Sequence, residues 1–295
     1  MQKTLFVFSA RVRILVRATL LAVAYLPAHP QYPPAGPALP AAPLHQADAA
    51  GLSDTLLSRA TALYYSTAKN GLRSFDCQVH PDWKLIISSS RQDPSVPADD
   101  PRLALVSGVK ITLHERLKGD SSIDWQVPAP AAKPLDQAAM DLLDRAHRGI
   151  ENTLLGVLRL WIPMVDGSLV ESLGEDGAAI AETASGYTLR TKEKQHSLTE
   201  EFDRNLVLRQ YTAADSGSGV RLDPTFEQTG QGLLMSSFVA HIQPAGPPAQ
   251  NAQEMRVGLA YESISGAQLP SRITVEMPGV VQMDFNLDGC TVNPQ

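Results

Sequence analysis

The stretch Arg272-Ile273-Thr274-Val275-Glu276-Met277-Pro278-Gly279-Val280-Val281-Gln282-Met283-Asp284-Phe285-Asn286-Leu287 alternates apolar and polar residues on both sides of a proline-glycine turn. Successive side chains of a strand point to opposite faces. Ile273, Val275 and Met277 therefore share one face with Val281, Met283, Phe285 and Leu287, while Arg272, Thr274, Glu276, Gln282, Asp284 and Asn286 share the other. One greasy face and one wet face is the signature of an antiparallel pair with its back to a core. Pro278-Gly279 suits a type II turn, whose twist fits a two-residue hairpin poorly, so a wider or bulged loop is expected there.

Working outward, the same alternation recurs at Val257, Leu259 and Tyr261 and, less strictly, at Leu233 to Ile242, Val220 to Phe226, Leu206 to Tyr211, and Tyr187 with Leu189. From Ser168 onward the chain reads as a succession of strands separated by turn residues. Earlier, Phe75, Cys77 and Val79 mark a strand, and Val109, Ile111 and Leu113 mark another, with Ile123 to Val127 as its partner. Two amphipathic helices stand among them. Leu52, Leu56, Leu57, Ala60, Leu63, Tyr64 and Ala68 follow one helical face that Asn70-Gly71 stops; Met140, Leu143, Ala146, Ile150, Leu154, Val157, Leu158 and Trp161 follow another over Leu135 to Trp161. His80 to Gly108 carries no clear period, apart from Asp99-Asp100-Pro101, a short-helix start ahead of Leu103, Leu105 and Val106. No βαβ alternation is present, so the fold class is α+β. A meander of eight or more strands accumulates twist and curls. The expectation is an incomplete β-barrel whose apolar concave face is covered by the amphipathic helices, or holds a ligand between itself and them.

The 295 residues carry a net charge of −6, but Lys3, Arg11, Arg13 and Arg17 fall in a leading segment without acids. A chain lacking that segment carries 21 positives against 31 negatives, a net −10. Such a chain lacks the clustered Lys and Arg that neutralise phosphates, which argues against nucleic acid as a partner. The basic start, the apolar run Ala18 to Leu26 and small residues at Ala24 and Ala28 read as a signal peptide over residues 1–28. The run is shorter than the ~20 residues a spanning helix needs. Seven prolines between Pro27 and Ala50 make 29–50 an extended tether, leaving 51–295 as a single domain in the periplasm. In that oxidising compartment Cys77 and Cys290, the only cysteines, are expected to pair and join the first strand to the last.

A leading amphipathic helix ending in Gly71-Leu72-Arg73-Ser74-Phe75, a late strand start at Gly230-Gln231-Gly232-Leu233-Leu234, and Tyr261-Glu262-Ser263-Ile264-Ser265-Gly266-Ala267-Gln268-Leu269-Pro270-Ser271-Arg272-Ile273 resemble the LolA-like outer-membrane lipoprotein-sorting superfamily. The resemblance spans Leu52 to Val292. It implies a half-barrel with helices as a lid over a cavity for acyl chains. The chain departs from the sorting proteins in lacking their arginine-and-tryptophan segment after an early strand, for which Trp83 and Trp125 are the only counterparts, and Leu135 to Trp161 looks inserted.

Catalytic and metal signatures are missing. No HExxH, GxSxG or GxxxxGK occurs, and His114-Glu115 is followed by no second histidine. Asp284-Phe285-Asn286-Leu287-Asp288-Gly289 fits the first half of a calcium loop, but Gln295 stands where the bidentate glutamate belongs. Asp288-Gly289 reads instead as a bulge before Cys290, and Asp99-Asp100 and Glu200-Glu201 as solvated surface. No cofactor is implied. The chain reads as a non-catalytic, exported carrier or binding protein for an apolar ligand such as a lipid or acyl chain, lined by Trp125, Trp161, Leu234, Phe238 and Tyr261. A regulatory or structural envelope module that binds another protein is the alternative, with peripheral membrane contact at most, and an uncharacterised hydrolase comes last.

Overall fold

A computed structural model of the chain describes residues 49–91, 96–119, 121–128, 135–167, 169, 179–193, 196–215, 218–243 and 253–293. The expected signal segment, and all but the last two residues of the tether, lie outside the described residues. Among the described residues the strands are β1 (Ser74–Pro81), β2 (Lys110–Arg116), β3 (Ser122–Gln126), β4 (Ala179–Glu182), β5 (Gly186–Glu193), β6 (His196–Asp203), β7 (Leu208–Ala214), β8 (Gly219–Thr229), β9 (Gly232–Gln243), β10 (Gln253–Ile264), β11 (Ala267–Met277) and β12 (Val281–Val292). The helices are α1 (Ala49–Leu63), α2 (Trp83–Arg91), α3 (Pro101–Val106) and α4 (Gln137–Val165). The strands form one antiparallel sheet that does not close, in the order β3-β2-β1-β12-β11-β10-β9-β8-β7-β6-β5-β4.

The hairpin of Arg272 to Leu287 forms in the expected phase. Ile273 faces Phe285 and Val275 faces Met283, with Ile273, Val275, Phe285 and Leu287 buried. The loop after Met277 is three residues wide and is closed by the Val280 N–H donating to the Met277 carbonyl at 2.9 Å. Polar residues of the opposite face pair across strands, as Arg272 does with Asp284.

Two compact units divide the chain, the first comprising Met1–Tyr65 and Pro163–Glu254, the second Ser66–Ile162 and Met255–Gln295. In the first unit α1 rests on β9. This helix ends at Leu63 rather than running on to Ala68, because Tyr64 leaves it for a bridge to Leu233 and the Tyr65 N–H donates to the Leu233 carbonyl at 3.0 Å. That close passage explains Gly232. At φ +117° a Cβ there would sit 2.7–2.8 Å from backbone atoms of Leu63 to Tyr65, so only glycine fits.

In the second unit β1 lies between β2 and β12, so the first and last strands are neighbours. Residues Gly289 and Cys290 of β12 stand opposite the single residue Cys77, a bulge with Gly289 at φ +56°. The extra residue turns Cys290 toward Cys77, and the two form a disulfide. Beyond Pro81, which ends β1, the backbone of β12 needs other partners. The Asp82 N–H donates to the Asp284 carbonyl at 2.8 Å, and Ser89 Oγ both donates to the Gln282 carbonyl (3.0 Å) and accepts from the Gln282 N–H (2.9 Å). Those bonds hold α2, which Asp82 caps by accepting from the Leu85 N–H at 2.9 Å. The Ile86-Ile87 pair and three serines of α2 lower its intrinsic helix propensity, and the bonds to β12 offset that. Helix α3 starts as expected, with Asp100 as N-cap and Pro101 at its first turn.

Candidate functional site

Helix α4 begins at Asp136, whose carboxylate accepts from the Ala139 N–H at 2.8 Å, and its apolar stripe faces the sheet of the second unit. Toward its C-terminal end Trp161 is fully buried. Its ring meets Phe75 of β1 edge to face at 6.3 Å, and its Nε1–H donates to Tyr261 Oη of β10 at 2.9 Å. Tyr261 remains on the Val257 and Leu259 face because the register shift beside it adds its extra residue to β11.

The other end of α4 is open. His147 stacks on Trp125 of β3 at 4.9 Å and 17°, and Trp83 of α2 meets Trp125 edge-on at 6.0 Å and 89°. All three rings are half-buried. His147 precedes Trp161 by fourteen residues, about 21 Å of helix. Met140, two turns before His147 on the same stripe, is 46% exposed, and Val127, two residues beyond Trp125, is 39% exposed. These are the exposed large hydrophobics among the described residues, and both flank this one cluster. Strand β3 is also the terminal strand of the sheet, with no neighbour on its outer side among the described residues.

Of the five residues expected to line a cavity, Trp161 and Tyr261 therefore meet at the closed end, and Trp125 lies at the open one. Leu234 and Phe238 belong to the first unit, where both are buried. A register shift in the β8–β9 ladder leaves Ser236 without an opposite residue, so the alternation resumes out of step. Leu234 and Phe238 consequently point to opposite faces of β9.

Three acids are buried that the sequence-based expectations do not place in the core: Glu115, Glu200 and Asp100. Glu115 stands in phase with Ile111 and Leu113 on the inner face of β2, opposite Phe75, and is fully buried. Ser121 Oγ donates to its Oε1, whereas Oε2 has no hydrogen-bond partner among the described residues. Burial pushes its carboxyl above the ordinary range, and Ser121, the Arg116 backbone, Arg159 of α4 and the Arg116 side chain only partly offset that. The signal was available, since Glu115 continues the Ile111–Leu113 alternation. Glu200 is the second, and here the expectation of solvated surface is corrected: Glu201 is exposed, but Glu200 is buried between Leu189 of β5 and Tyr211 of β7. Asp100 is likewise mostly buried, paired with Arg102 while capping α3.

The wet face of the second unit is a lattice of cross-strand polar pairs. His114 lies 3.1 Å from Asp76 and 3.3 Å from Asp124, Arg116 reaches Asp76 at 2.8 Å, and His80 meets Asp288 at 3.0 Å. Residues Asp284 to Gly289 run as strand through this lattice rather than folding as a calcium loop, and Asp284 is held by Arg272. Among the described residues no group of three or more His, Cys, Asp or Glu is placed to hold a metal ion, and no helix is long and apolar enough to cross a membrane. What the arrangement offers at this end of α4 is an aromatic, half-open apolar surface. Comparison with protein-family models, curated proteins and solved structures finds no match to this chain.

Proposed function

We propose that the protein is an exported periplasmic binding protein for an apolar ligand, such as a lipid or acyl chain, which enters at the Trp83, Trp125 and His147 cluster beneath the N-terminal half of α4. In this reading the sheet curls as a half-barrel of the LolA-like kind and α4 is its amphipathic cover. The carrying observation is the gradient along α4. One helix lies fully sealed at Trp161 and leaves its other end half-open, with aromatic rings and two exposed apolar side chains around it. Each acyl CH₂ taken from water there would contribute about 0.8 kcal/mol. The disulfide between Cys77 and Cys290 agrees with an oxidising compartment.

Native mass spectrometry of the full chain purified from the periplasm tests this. A constant extra mass that extracts into organic solvent, and that falls in Trp125→Ala, is the expected result. A clean apo mass in the unaltered protein defeats the reading.

A second reading rests on β3, whose outer edge is free among the described residues. An unpaired edge beside exposed apolar groups accepts an added strand from a protein partner. A clean apo mass together with a specific co-purified protein, lost on placing proline at Asp124, would favour it.

A further inference from the structure

We infer that Glu115 is a proton-operated latch which keeps the C-terminal half of α4 seated over the Phe75–Glu115 pair of β1 and β2, and that loss of its proton opens that contact. The inference concerns the sealed end of α4 and stands whether or not a ligand enters at the other end.

Glu115 occupies an apolar inner-face position, opposite Phe75, whose ring Trp161 of α4 contacts edge to face. It is fully buried with one carboxylate oxygen unpartnered among the described residues, a tolerable state for a neutral acid and a costly one for an anion. The charged and polar groups near it can be named. Arg159 comes from α4, Arg116 from β2 and Ser121 from the turn before β3. The Arg116 guanidinium is engaged by Asp76, and neighbouring His114 lies among Asp76 and Asp124. Phe75 brings no charge from β1. Arg159 thus supplies the attraction that α4 offers the ionised carboxylate, and burial outweighs it.

Linkage then fixes the direction. Because burial raises the proton affinity of Glu115 in the seated state above that of a solvated carboxyl, opening is accompanied by proton release. Opening is therefore favoured by rising pH, by at most about tenfold per pH unit, between the ordinary carboxyl range and the raised one. Below that window the latch is fully closed.

Hydrogen exchange of the full-length oxidised protein, corrected for the intrinsic pH dependence of exchange, reads this directly. Peptides covering residues 150–162 and 111–117 should lose protection as pH rises through the window, while those from β6 to β8 should not. Glu115→Gln, a neutral isostere, should hold both segments protected at every pH. Arg159→Met, which removes the counter-charge without touching the carboxyl, should show less protection than the unaltered protein at neutral pH. A flat profile in the unaltered protein, or the same slope in Glu115→Gln, overturns the inference. Should Glu115→Gln not fold, unchanged protection in Arg159→Met overturns it as well.

Discussion

Each unit buries one glutamate on the apolar side of its strands, yet the two are closed by different forces. In the second unit the closure is covalent and apolar: a disulfide between neighbouring strands and a long helix with Trp161 at full burial. In the first it is directional. Tyr64 Oη donates to the Leu206 carbonyl at 2.8 Å and accepts from the Leu208 N–H at 2.7 Å, holding a turn in which Leu206 takes the left-handed conformation at φ +64°. Burial pushes the hydroxyls of both Tyr64 and Tyr211 well above the ordinary phenol range, and nearby Glu200 adds to this at each. Area-driven closure tolerates small shifts in geometry, whereas hydrogen-bonded closure loses most of its value when one partner goes.

The largest break in this comparison should come from the disulfide. Its ends are 213 residues apart, for which the loop-entropy view gives about 5 kcal/mol as an upper figure. Replacing Cys77 and Cys290 together by alanine should destabilise the second unit by about 2–5 kcal/mol. Hydrogen exchange at β1, β2 and β12 should report the loss, with β6 to β8 unaffected. Trp161→Ala should cost a comparable amount, about 3–5 kcal/mol for an emptied aromatic site, visible as a drop in denaturant midpoint. The first unit should answer to a far smaller edit: Tyr64→Phe keeps the ring against Phe226 but leaves the Leu206 and Leu208 backbone groups without the hydroxyl. About 1–3 kcal/mol should follow, read as faster exchange in residues 203–208.

The sequence made much of the second unit legible because its strands alternate strictly and its helix keeps one stripe for about six turns. It also foreshadowed the Asp288-Gly289 bulge, a matter of local register, and the Cys77–Cys290 pair, because the chain holds no other cysteine. What it hid were features set by distant partners. The early end of α1 is decided by Leu233, the existence of α2 by the unpaired backbone of β12, and the burial of Glu200 by Tyr211. Strands β4 and β6 were passed over for a similar reason, since Thr199, Glu200 and Glu201 carry no apolar alternation of their own. At the candidate site the size and position of Trp125 mark it in the sequence. Nothing local marks His147 or Trp83 as its neighbours, because only the fold brings a histidine from α4 and a tryptophan from α2 onto that ring.

The smallest effects should be those of acid, and they sharpen the comparison by their sign. Burial alone would raise Asp76, but hydrogen bonds from Arg116 and His114 outweigh it and hold its carboxyl below the ordinary range. For Asp203 burial is similarly outweighed, by the Val207 N–H, Arg209 and the Asn205 N–H. A depressed folded-state value stabilises above the unfolded value of about 3.8 and is lost as pH falls through the folded one, so both units should weaken in acid. Glu115 acts the other way. Its raised value makes it destabilising above the folded pKa, and that penalty disappears as pH falls below the unfolded value of about 4.5. In the first unit Asp203→Asn should flatten the acid limb of stability. In the second, Asp76→Asn should flatten it too, but Glu115→Gln should steepen it, because it removes the term that recovers as the pH drops. Segment-resolved hydrogen exchange between about pH 3 and pH 7 checks all three. If Glu115→Gln and Asp76→Asn shifted the second unit in the same direction, the opposed assignment of its two carboxylates would be wrong.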